Sequence, residues 1–107
     1  MIYKFRSKAA GDVIMMGPHG DHVLRLIGKE PAGKGIIEVA AMPAAIAAIE
    51  RAIVADEEAR KQAEAEAAAE GKLLPPRDGV SLRQRAWPLV EMMKRAQAAD
   101  KEIVWGV

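Results

Sequence analysis

A chain of 107 residues, half of them hydrophobic, holds enough apolar volume for one modest core and none for a second, so we read residues 1–107 as one domain. The absence of cysteine excludes disulfides and thiol chemistry and suits a reducing, cytoplasmic setting. No apolar run approaches the about 18 residues a membrane span needs, Met1–Arg6 is charged too early for a signal peptide, and a net charge of +1 gives no general attraction to nucleic acid.

That charge is nevertheless segregated. Residues 1–34 carry six basic and three acidic side chains, and residues 77–101 carry the same numbers, whereas residues 56–70 carry six acidic and two basic. Such polarity orients protein association rather than fold.

In residues 2–6, Tyr3 and Phe5 alternate with Lys4 and Arg6, the period of a half-buried strand. Ser7–Gly11 has the length of a turn, and Asp12-Val13-Ile14-Met15-Met16 resumes as a second strand, which predicts a hairpin. Pro18 opens a helix with Val23, Leu24, Leu26 and Ile27 on its apolar side, and Gly28 closes it. A loop from Lys29 to Gly35 then leads to a third strand over 36–39.

Pro43 opens the next helix, with Ile46, Ile49 and Ile53 on one stripe. Past Ala55 the same stripe holds Asp56, Glu57, Arg60 and Glu64, so the helix has nothing more to bury. Its alanine, glutamate and lysine content keeps it helical, and i,i+4 ion pairs support it. The spacing therefore predicts a helix that leaves the core after three turns and projects as an acidic arm. Residues 56–79 comprise that arm and a Gly/Pro-rich linker.

The last quarter is the most informative. Ser81 and Gln84 form an S-x-x-Q capping box at a helix start. Leu82, Ala86, Leu89, Val90, Met92, Met93 and Ala96 then fall in one arc, which marks the core face. Pro88 removes the backbone bond to Gln84, so a kink or break near Trp87 is expected. Residues 102–107 are β-rich, apolar on both faces, and placed to pair beside the first strand. The expected fold is α+β: a small, mostly antiparallel four-stranded sheet covered by three helices, one of them projecting into solvent.

Few residues carry chemistry. Gly28-x-x-x-x-Gly33-Lys34-Gly35 is one residue short of a phosphate-binding loop, with Gly35 where a hydroxyl should hold magnesium, and it precedes a strand rather than a helix. An ordinary turn, or a weak anion site from Lys29 and Lys34, fits it better. His19 and His22 share a helix face but lack a third ligand, so no metal and no cofactor is assigned. Ser7 and Ser81 are the only serines, and Ser81 already caps a helix, so no catalytic residue is named.

Binding candidates lie in the C-terminal helix. Arg83, Trp87 and Lys94 project outside its apolar arc, and tryptophan and arginine are the residues of binding hot spots. Arg85 falls on the apolar arc, either an edge arginine that snorkels or pairs with a nearby carboxylate, or an anchor for an anionic ligand.

The stretches YKFRSKAAGDVIM, LIGKEP, GII, SLRQRAWP and IVWGV resemble the small bacterial family called domain of unknown function 1840. The resemblance covers nearly the whole chain and implies a bacterial, intracellular protein; it transfers no catalytic or binding residue. The leading expectation is a non-enzymatic protein-interaction or regulatory module, meeting a partner protein or a second copy through Arg83, Trp87 and Lys94 or through the acidic arm. A binder or enzyme for a small anionic ligand anchored by Arg85 is the alternative. Nucleic-acid binding ranks third, because the basic residues scatter around the helix and the acidic arm repels phosphate.

Overall fold

A computed structural model describes residues 2–75 and 81–107. The strands are β1 (Ile2–Ser7), β2 (Ala10–Met16), β3 (Gly35–Ile37) and β4 (Ile103–Trp105); the helices are α1 (Gly17–Leu26), α2 (Met42–Ala69) and α3 (Leu82–Ala98). The strands form one antiparallel sheet in the order β2-β1-β4-β3, and the fold is α+β.

β1 and β2 form the expected hairpin, with Tyr3 opposite Met15 and Phe5 opposite Val13, and the ladder shifts register between Phe5 and Ser7. The side chains of Tyr3, Phe5, Met15, Ile37, Ile103 and Trp105 point to one face and are buried there. The three rings meet in sequence: Tyr3 stacks on Phe5 at 5.9 Å, and Phe5 meets Trp105 edge-on at 5.6 Å. β4 inserts between β1 and β3, pairing Phe5 with Trp105 and Ile37 with Ile103, so the two ends of the chain share one ladder.

The core lies between this face and the helices. All seven residues of the predicted α3 arc are buried, together with Val23 and Leu24 of α1 and Met42, Ala45, Ile46, Ile49 and Ile53 of α2. α1 comes close enough to β1 that a Cβ on Gly20 would lie 2.1 Å from the Tyr3 ring, so only glycine fits there. The helices end alike, each with a backbone bond reaching back five residues: Lys29 to Leu24, Lys72 to Ala67, and Lys101 to Ala96. The residue just before each of these lysines takes positive φ: Gly28, Gly71 and, at the end of α3, Asp100.

α2 leaves the core as expected. After Ile53 it buries no further residue, and its last turns stand in solvent. Arg60 forms the expected i,i+4 pair with Glu64 at 2.9 Å and also donates to the Pro75 carbonyl at 2.8 Å, which ties the returning chain to the arm. The part of the expected linker at residues 76–79 lies outside the described residues.

Three expectations need correction. Of the kink or break expected near Trp87, the break does not occur: α3 continues through Pro88, because its buried residues lie on both sides of the proline and hold the two halves on one core. The third strand stops at Ile37, where its ladder with β4 ends, and Val39–Ala41 form a short 3-10 turn instead of strand. The last strand covers only Ile103–Trp105: Gly106 turns out of the ladder at φ +73, and Val107 is exposed.

Candidate interaction surfaces

The Ser81–Gln84 capping box sets the start of α3: the Ser81 Oγ accepts from the Gln84 amide at 3.2 Å, and the Gln84 Oε1 accepts from the Ser81 amide at 3.0 Å. From that start the helix carries Arg83, Trp87 and Lys94 along its border with α2. Trp87 is half-buried against the core, with the Arg83 guanidinium 5.6 Å and the Lys94 ammonium 5.0 Å from its ring centroid.

Both cations are also matched by α2. Arg83 holds Glu57 through two bonds of 2.9 Å, and that carboxylate raises the guanidinium pKa further by accepting its hydrogen bonds. Lys94 lies 3.8 Å from Glu50. The ridge thus reads Glu–cation–indole–cation–Glu, and beside it a concavity of about 130 Å³ is lined by Glu50, Ile53, Val54, Arg83 and Trp87. Chemically it offers a flat aromatic edge and an exposed Val54 between charges that already neutralise one another.

Arg85 does not join this ridge. Two residues from Trp87, it sits about 200° around the helix. Its Nε is buried and has no hydrogen-bond partner, and among the described residues no carboxylate pairs with it.

The near-miss phosphate loop is a strap. The Trp105 indole N–H donates to the Ala32 carbonyl at 2.9 Å, which pins the loop over the end of β4. Lys29, Lys34 and Gly35 line an open concavity of about 300 Å³ beside that ring. In α1, His19 is half-buried and His22 exposed, and their neighbour Asp21 accepts a hydrogen bond from the Tyr3 hydroxyl. Burial, and secondarily this bond to Asp21, pushes the Tyr3 pKa up to about 12. Among the described residues no three His, Cys, Asp or Glu side chains converge on a possible metal position, and no helix is long and apolar enough to cross a membrane.

The largest apolar exposure lies where sequence reasoning named no site: the face of the sheet turned away from the helices. Ile2 and Met16 stand opposite each other there, Ile14 stands opposite Lys4, and Val104 lies between Arg6 and Ile36. Ile2, Ile14, Met16 and Ile36 expose 61%, 64%, 59% and 41% of their surfaces, values that belong to free side chains rather than to a covered layer. The charged fringe is Lys4, paired with Asp12 at 3.5 Å, together with Arg6, Lys8 and Glu102 around a concavity of about 270 Å³. The signal was present in the sequence, since Val13-Ile14-Met15-Met16 is apolar at both parities of a strand and only one parity can face the core.

The family model described as Domain of unknown function (DUF1840) matches residues 1–105. No curated protein and no solved structure matches the chain.

Proposed function

The chain belongs to the family described as Domain of unknown function DUF1840, and on that premise we propose that it is a protein-interaction module that docks a partner on the open face of its sheet. One observation carries this reading: four large aliphatic side chains, Ile2, Ile14, Met16 and Ile36, are exposed on a single face. An uncovered apolar face of this kind marks a protein contact site far more often than idle surface. The fringe of Lys4, Arg6 and Lys8 outweighs Asp12 and Glu102, so the fitting partner is an apolar segment flanked by carboxylates.

The test is affinity capture from the source cell with wild type and with the Ile2→Lys/Ile36→Lys double variant, followed by titration of the recovered protein. The expected result is at least a tenfold weaker association for the variant with an unchanged melting temperature. Equal affinity would discard the face as the docking site. The Arg83–Trp87–Lys94 ridge is the second surface within this reading. It is ranked below because Glu57 and Glu50 already balance its cations. A Lys94→Glu variant that alone loses the partner would reverse that ranking.

A second reading, a binder of a small anionic ligand, is favoured by the partnerless Arg85 Nε. Melting curves in phosphate, sulfate and citrate would show wild type stabilised and Arg85→Met unmoved. Identical curves for the two proteins would remove it.

A further inference from the structure

We propose that the protein forms a twofold dimer in which β2 pairs antiparallel with β2 of a second copy. β2 lies at the outside of the sheet, and its seven residues, Ala10–Met16, form the longest strand. Its only charged residue is Asp12, and it contains neither the lysine nor the proline by which exposed edges usually discourage pairing. An edge of this length left unguarded is a template for one more strand.

The occupant is a second copy because the surface beside the edge complements itself. α3 packs under β2, and Pro88, Glu91, Met92 and Arg95 line a concavity with Ala10, Gly11, Asp12 and Val13. Among the described residues neither Glu91 nor Arg95 has an ion-pair partner, in contrast to Arg83 and Lys94 on the other flank of the same helix. A twofold axis near Val13 and Ile14 sets the two α3 helices side by side and antiparallel. Each Glu91 then faces the other copy's Arg95, and the contact occurs twice, as an isologous interface requires. A dissimilar partner would need the opposite charge order supplied by chance; a copy of the chain supplies it by symmetry.

The pairing joins two four-stranded sheets into one of eight strands, and it places both Ile14 side chains at the centre of the enlarged open face. It rests on the β2 edge and α3, not on the partner-docking reading, and its test uses the pure protein alone.

Light scattering coupled to gel filtration should give twice the 11.5 kDa chain mass at about 100 μM. Glu91→Arg and Arg95→Glu should each weaken dimerisation at least about tenfold, by setting like charges across the axis. The double exchange Glu91→Arg/Arg95→Glu should restore it, which a merely structural role for either residue would not. Because the chain contains no cysteine, Ile14→Cys provides an independent check: oxidation should join two copies through one disulfide, while Ile36→Cys on the far edge should still dimerise but should not be cross-linked. A monomer at that concentration overturns the proposal. So does a dimer indifferent to both charge reversals, or one joined by Ile36→Cys and not by Ile14→Cys, which would point to face-to-face packing.

Discussion

Tyr3 is buried at the foot of the aromatic row, and its hydroxyl donates to the Asp21 carboxylate. With the phenol pushed up to about 12 by burial first and Asp21 second, the folded protein holds this proton more tightly than the unfolded chain, where tyrosine ionises near 10. The stabilisation is complete below pH 10 and is lost as pH rises from 10 towards 12. Alkaline melts should therefore fall across that window for wild type. Tyr3→Phe should be less stable by about 1–2 kcal/mol at neutral pH and should fall less steeply between pH 10 and 12.

Asp100 invites the opposite change. It closes α3 at φ +57, the left-handed conformation that Gly28 and Gly71 adopt at the ends of α1 and α2. A Cβ in that conformation costs energy that glycine does not, partly offset by glycine's freer unfolded state. Asp100→Gly should stabilise by about 0.5–1 kcal/mol, read from the urea midpoint. Nothing in the local sequence marked Asp100 as a cap, because aspartate serves many turn positions; the backbone bond from Lys101 to Ala96 identifies it.

At the scale of elements, α2 is two helices in energetic terms. Its first three turns bury Met42, Ala45, Ile46, Ile49 and Ile53, and the remainder is held by its alanine content, the Arg60–Glu64 pair and polar bonds from Arg83 to Glu57 and from Arg60 to the Pro75 carbonyl. Ile49→Ala should cost about 2–5 kcal/mol, whereas Gln62→Ala should stay within about 0.5 kcal/mol; thermal melts of the two variants measure the contrast. This division was legible in advance, since the apolar stripe simply stops at Ala55. So was the buried face of α3, because a 3.6-residue period leaves little choice of which residues share an arc. The absence of a break at Pro88 has a related reason. A proline's local cost of about 3 kcal/mol predicts a break, but the burial of Leu82 and Ala86 before it and of Leu89, Val90, Met92 and Met93 after it outweighs that cost. The strand ends were misjudged because a strand is only as long as its partner. β3 ends where β4 offers nothing more to pair with.

For the whole molecule, the decisive element is the shortest and last. β4 is three residues long, yet it stands between β1 and β3, buries Ile103 and Trp105, and anchors the 29–35 loop through the indole bond to Ala32. Removal of residues 102–107 should abolish cooperative unfolding, followed by near-ultraviolet dichroism. A truncated chain that melts like the intact one would contradict the central place of β4.

Local order was written in the sequence: the alternation of Tyr3 and Phe5, the capping box, the α3 arc and the exit of α2 from the core depend only on residues within a few turns of one another. The meeting of both chain ends could be inferred as well, because a terminal run apolar on both faces needs neighbours on each side. Which apolar residues stay uncovered was decided only in three dimensions. Ile14 and Met15 are adjacent and nearly equal in hydrophobicity, yet one is 64% exposed and the other 5%. Burial belongs to a pair of surfaces, and the helices cover just one side of the sheet. The same holds for the cations of α3: Arg83 finds Glu57, and Arg85 finds no carboxylate among the described residues, because α2 runs along one flank of that helix and not the other.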